Sequence, residues 1–160
     1  MIKGIFMDKV YDGRPKYANW GGLNDATRNQ EFTMGSTPSE YTFGGALGTQ
    51  EINTRASIYR PGSRISFSGT NTNYSFRTMA THASGMNQEG WAYTISASRR
   101  WAKEGYFDGT DYSANSFFAS VEKKISDKHS LNLTAIYAQN SRGKNSPNSD
   151  EVNDLAGIKY

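Results

Sequence analysis

From Arg64 to Tyr137 polar and apolar residues alternate in run after run, separated by tight polar turns. A period of two is what an extended strand imposes, because successive side chains leave opposite faces of a sheet. Arg64 to Thr70 sets Ile65 and Phe67 against Arg64, Ser66 and Ser68, and Asn71-Thr72-Asn73 is a turn before a second run, Tyr74 to Ser84, whose register the sequence leaves open. The third run is the cleanest: Trp91, Tyr93, Ile95 and Ala97 share one face, and Ala92, Thr94, Ser96 and Ser98 share the other. In the fourth run Phe117, Ala119 and Val121 oppose Ser116, Phe118, Ser120 and Glu122; Phe117, Val121 and Ile125 also fit a helix. Strand is preferred there, because its neighbours are strands and the link Ser126-Asp127-Lys128-His129 suits a hairpin. The fifth run turns Leu131, Leu133, Ala135 and Tyr137 one way and Asn132 and Thr134 the other, and a polar loop follows.

The composition of the two faces restricts where such strands can live. A soluble sandwich fills its apolar face with bulky aliphatics, whereas here that face mixes Ala, Tyr and Trp. The opposite face is rich in Ser, Thr and Asn rather than the Lys and Glu of a solvated exterior. Trp91, Tyr93, Trp101, Tyr106 and Tyr137 fall near the expected strand ends, the level at which amphipathic rings favour a membrane interface. Mean hydropathy is −0.73 and no stretch approaches the ~18 apolar residues of a membrane helix, but a barrel strand needs only ~9–11 alternating residues. The pattern therefore points to the wall of a transmembrane β-barrel. The short turn Asn87 to Gly90 and the longer stretch Glu104 to Ala114 add the loop asymmetry of such walls. Five strands cannot close around a lumen, so the chain is expected to be a fragment.

Upstream of the strands the chain is irregular. Asp12-Gly13, Arg14-Pro15 and Gly21-Gly22 break it, Leu23 to Phe32 could form a helical turn capped by Asn24 or Asp25, and Ile52 to Ser57 reads as a short strand. Gly35, Gly44, Gly45 and Gly48 cluster as in a buried loop with close backbone approaches. Asp8, Lys9 and Asp12 interrupt the first residues before a signal core could form, so an exported chain would carry its leader upstream of Met1.

Three stretches, NWGGLNDATRNQE (Asn19 to Glu31), FGGALGTQEINTRAS (Phe43 to Ser57) and MATHASG…GWAYTISASRRWAKEGYFDGTDY (Met79 to Tyr112), resemble TonB-dependent outer-membrane receptors, in particular a branch with an upstream carboxypeptidase-regulatory-like domain. Gly35 matches the first glycine of the plug motif, Phe43-Gly44 its aromatic-glycine pair, Gly45, Ala46 and Gly48 the following loop, and Ile52-Asn53 the last plug strand. Met34 stands where the common pattern has arginine, and Thr49 where it has a second glycine. The resemblance implies a mainly β fold: antiparallel hairpins of a plugged transmembrane β-barrel, preceded by the C-terminal part of a small mixed plug domain. Residues 1–58 would be plug and 59–160 about five barrel strands and an outer loop. It further implies energy-coupled import of a siderophore, vitamin or glycan across the outer membrane of a Gram-negative bacterium. The implied partners are outer-membrane lipid, an inner-membrane energy-coupling protein reached through an upstream region, a surface lipoprotein and the small-molecule or glycan ligand.

The chemical motifs point away from catalysis, and neither cofactor nor metal is expected. Gly44 to Gly48 lacks the Lys-Ser/Thr of a phosphate-binding loop. Glu104, Asp108 and Asp111 read as solvated loop acids, with a hydrolase or cation site as the alternative. His82 and His129 are isolated, the latter a turn residue. Ser98 to Lys103 mixes base and aromatic, but the net charge of +3 gives nucleic acid little support. A small soluble β-sandwich or adhesin-like binding module is the alternative to a receptor.

Overall fold

The computed structural model describes residues 1–38, 46–106 and 109–143. The fold is mainly β and antiparallel. Five strands, β3 (Gly62–Gly69), β4 (Phe76–Ala83), β5 (Trp91–Ala102), β6 (Tyr112–Lys124) and β7 (Ser130–Arg142), form one sheet in chain order. The sheet is open, with β3 and β7 at its edges.

The runs expected from alternation all become strands, and the ambiguous fourth run is one of the longest. Pairing fixes the register of the second run: Ala80 lies opposite Ile65 and Ala97, which turns Phe76, Thr78, Ala80 and His82 to one face. Two corrections concern strand ends. Tyr112, Ser113 and Ala114 belong to β6 rather than to the loop before it. Tyr137 lies opposite Phe117 well inside β7, so it is no strand-end ring. The links at one end, 84–90 and 125–129, compare with 70–75 and 103–111 at the other, so only 103–111 carries the expected loop asymmetry.

The described part of the chain before β3 docks on one face of this sheet. It holds a small hairpin, β1 (Gln30–Thr33) with β2 (Thr49–Ile52), and two 3₁₀ turns, Tyr17–Asn19 and Ala56–Ile58. Around Asp25 the chain makes a single helical turn, with the Thr27 amide donating to the Leu23 carbonyl at 2.9 Å, and no α-helix forms among the described residues. The strand expected over Ile52 to Ser57 instead ends at Ile52. Asn53 Oδ1 accepts the Arg55 amide at 3.1 Å, and this side-chain turn bends the backbone into the 3₁₀ turn that follows.

Burial is greatest between segment and sheet. Leu23, Ala26 and Tyr59 pack on Ala83 and Phe118, and Ile136 closes the cluster from β7. Tyr59 meets Phe118 edge-to-face at 6.2 Å. Ile2, Trp20 and Ile52 make a second, smaller cluster.

Candidate functional site

The two faces of the sheet have opposite chemistry, and the apolar one is uncovered. Ile65, Phe67, Phe76, Trp91, Tyr93, Ile95, Phe117, Val121, Leu131, Leu133 and Tyr137 all point outward and are exposed, Leu133 by 73% and Ile65 by 80%. At ~150–250 Å² per large side chain these eleven expose on the order of 1,000 Å². Ordinary soluble monomers show patches of ~300–600 Å². At ~25 cal/mol per Å² water would leave about 25 kcal/mol of transfer free energy unrealised.

Rings mark both ends of this face. Phe67, Phe76 and Trp101 touch in sequence with centroids 5.8 Å apart at each step. Trp91 and Tyr93 lie at the other end of β5, where Tyr93 contacts His82 at 5.7 Å. Between the rings small residues, Ala80, Ala97, Ala119 and Ala135, floor a shallow apolar hollow of about 490 Å³ flanked by Phe117 and Tyr137.

The inner face is made mostly of small and polar side chains, with Met79, Tyr112, Phe118 and Ile136 among them, and on the central strands it is buried. Ala92, Thr94, Ser96, Ser98, Ala114, Ser116, Ser120 and Glu122 are all covered. Its hydroxyls and charges hold the backbone of the docked segment. Ser116 Oγ donates to the Gly21 carbonyl at 2.8 Å and Ser120 Oγ to that of Thr54 at 2.8 Å. Thr94 Oγ1 reaches the Ala56 carbonyl at 3.5 Å, and Arg100 Nη2 donates to Gly21 at 3.0 Å. In the other direction, Glu122 Oε2 accepts the Ser57 amide at 3.0 Å while Arg55 Nη1 stands 3.8 Å from Oε1. Arg64 pairs with Asp25 at 3.5 Å.

The glycines divide differently from the sequence expectation. Phe43, Gly44 and Gly45 lie outside the described residues. Gly48 does make a close backbone approach: with φ +103°, an added Cβ would fall 2.2 Å from the Thr33 carbonyl oxygen. Gly35 takes φ +63° in open space, so it serves the turn alone. Asn53 donates its amide to the Asn29 carbonyl at 2.9 Å. Among the described glycines, a close approach of segment to sheet falls instead at Gly21-Gly22, which the sequence presents only as a chain breaker. A Cβ at Gly22 would meet Ser98 Oγ at 2.8 Å and Arg100 Nε at 2.9 Å.

Glu104 and Asp111 lie on the 103–111 link, whereas Asp108 falls outside the described residues, and no cluster able to hold a metal occurs among those described. His82 faces outward with Nδ1 2.8 Å from Ser63 Oγ, and His129 closes the β6–β7 turn through its amide and carbonyl. Three pKa shifts have plain causes. Burial raises that of the Tyr59 phenol well above the usual tyrosine range, burial lowers that of the Lys3 ammonium, and the hydrogen bond to Lys124 lowers that of Asp127. Comparison with protein-family models, curated proteins and solved structures finds no match.

Proposed function

We propose that this chain supplies part of the wall and plug of a TonB-dependent outer-membrane receptor, which imports a small nutrient under energy coupling. The observation that carries the reading is the inversion of the sheet: most of its large apolar side chains are exposed, and the serine- and threonine-rich face of its central strands is buried. Water selects the reverse arrangement. A bilayer around a polar lumen selects this one.

The slope of the apolar band supports the same reading. On β3 the band centres between Ile65 and Phe67, a level that pairing carries through Ser66, Met79 and Ser98. On β7 it centres on Thr134, which pairing carries through Ser120 to Thr94. The centre thus moves from Ser98 to Thr94, four residues along β5, over the four strand-to-strand steps from β3 to β7. At ~3.3 Å per residue and ~4.8 Å per strand the slope is about 35°, within the ~35–45° tilt of membrane barrels. Trp91 and Trp101 lie ten residues apart on β5. At that tilt they stand about 27 Å apart in height, close to the ~25 Å of a barrel's apolar band.

In this reading residues 1–58 are plug, and the bare edges of β3 and β7 join further wall strands, because an unpaired edge is not viable in lipid. Outer-membrane lipid covers the apolar face, and the coupling protein and a surface lipoprotein act at other parts of the receptor. The test is fractionation of bacteria that express the protein, followed by polarised infrared dichroism on oriented membranes. Recovery with the outer membrane and a strand tilt near 35–45° is expected. A soluble chain that folds cooperatively in plain buffer would refute the proposal and leave a small β-sandwich or adhesin-like module in its place.

A further inference from the structure

Three of the charged side chains on the inner-face parity of the sheet are paired. Arg64 meets Asp25 at 3.5 Å, Glu122 meets Arg55 at 3.8 Å and Lys124 meets Asp127 at 2.7 Å. Arg77 and Arg100 are the contrast: among the described residues no carboxylate lies within 4.0 Å of either. They are direct cross-strand partners, so β4 and β5 hold like charges side by side where opposite charges would be stabilising. The Nε of each is buried and has no hydrogen-bond partner among the described residues.

The surroundings of this pair are suited to a ligand. The Arg100 guanidinium lies 5.5 Å from the Tyr112 ring centroid and 5.9 Å from that of Tyr74. Asn140 Nδ2 donates to the Tyr112 hydroxyl at 2.9 Å, and Arg142 stands opposite Tyr112 on β7. All of these belong to the end of the sheet that carries the 103–111 link.

We infer that Arg77 and Arg100 form a binding site for a small ligand bearing oxyanions, carboxylate or phosphate; its position in the lumen above the plug rests on the receptor reading. Guanidinium forks match such groups through paired N–H donors, and an anion between two arginines removes their mutual repulsion. Arg100 also touches the plug. Its Nη2 donates to the Gly21 carbonyl, and its chain crosses Gly21-Gly22 where even a methyl group would collide. A ligand that draws Arg100 toward itself competes with Gly21 for the guanidinium, which couples ligand occupancy to the hold on the plug.

The experiment is calorimetric titration of the full chain in detergent micelles with citrate and with pyrophosphate, using glucose as the uncharged control. Saturable binding of at least one anion and none of glucose is expected, and the anion preferred distinguishes carboxylate from phosphate chemistry. Arg77→Gln and Arg100→Gln each weaken it by at least about tenfold, equivalent to ~1.4 kcal/mol. Arg99→Gln removes a guanidinium one residue away on the outer face and leaves binding unchanged, while circular dichroism confirms that each variant retains its strands. Absence of saturable binding by both anions, or equal binding by the Arg77→Gln and Arg99→Gln variants, overturns the inference. Oriented dichroism keeps the two proposals apart. Tilted strands without anion binding sink this site alone, and anion binding without tilted strands sinks the receptor reading alone.

Discussion

Leu133 and Asn132 are neighbours in β7 that face opposite ways, so on the proposed membrane placement arginine at each position separates lipid from water. Leu133 is 73% exposed on the apolar face, opposite Val121 and one residue from the centre of the band on its strand. Arginine on the lipid face near the midplane of a barrel costs ~2–4 kcal/mol. Asn132 faces inward and donates Nδ2 to Ser120 Oγ at 3.2 Å. Arginine there forfeits that bond and the one Asn132 Oδ1 accepts from Thr134 Oγ1 at 3.0 Å, ~0.5–1.5 kcal/mol each, and on the receptor reading gains access to a polar lumen. Central values of ~3 and ~2 kcal/mol leave Leu133→Arg the more damaging by about 1 kcal/mol. Leu131 supplies a depth control, since it lies one outward row closer to the strand end, about 5 Å in height at a 35° tilt. Leu131→Arg should cost less than Leu133→Arg, because the penalty falls toward the interface. Equilibrium urea unfolding in phospholipid vesicles measures all three. On a solvated sheet Leu133→Arg would stay within ~0.5 kcal/mol of neutral, and that result, or equal costs at 131 and 133, would refute the membrane placement.

Three further predictions concern the docked segment. Glu122→Ala leaves the Ser57 amide without its acceptor and destabilises segment docking by ~1–3 kcal/mol, whereas Glu122→Gln costs less; hydrogen exchange at Ser57 reads both. The ion pair adds little, since the Arg55 side chain is 43% exposed. Gly48→Ala drives a Cβ into the Thr33 carbonyl and opens the β1–β2 hairpin, whereas Gly35→Ala pays only the ~1–2 kcal/mol of a left-handed residue in open space. Amide protection in β1 distinguishes the two. The Tyr59 hydroxyl donates to the Ala26 carbonyl at 2.6 Å, and burial keeps it protonated above its usual range. The unfolded phenol ionises near pH ~10. The folded state then holds the extra proton, so docking stability is full below about pH 10 and falls as pH rises beyond it. Tyr59→Phe removes this alkaline loss at a cost of ~0.5–1.5 kcal/mol at neutral pH, and denaturant titrations on either side of pH 10 test it.

The strands were legible because alternation is local. Each of Trp91 to Ser98 declares its face by parity alone, and the sheet follows it residue for residue. The segment was less legible because its conformation depends on what it touches. The chain from Asn53 to Ser57 has the composition of a strand, yet Asn53 Oδ1 captures the Arg55 amide and Glu122, 65 residues away, captures that of Ser57. A propensity argument contains neither bond. The same holds for the glycines. Gly21-Gly22 looks like punctuation until Arg100 is laid across it, a contact 79 residues apart in sequence. The cationic pair had a partial signal, since Arg100 lies on the polar parity of its strand. Arg77 could be placed beside it only once the register of β4 was known.

That difference between local and long-range determination bears on how the parts can move. Consecutive strands β5, β6 and β7 are joined by ladders running almost their full length, from Trp91 paired with Lys123 to Tyr112 paired with Arg142. The segment is joined to the sheet by single hydrogen bonds, from Ser116 and Arg100 to Gly21, Ser120 to Thr54, and Ser57 to Glu122, around the apolar cluster of Leu23, Ala26 and Tyr59 on Ala83, Phe118 and Ile136. Each bond contributes only ~0.5–1.5 kcal/mol net, because water can replace the partner. On the receptor reading the carbonyls and amides of the sheet have no such substitute, because they lie in lipid. A pull on the segment can therefore break its attachments one at a time while the sheet stays intact, and the hydroxyl-rich face it leaves behind is one that water can wet.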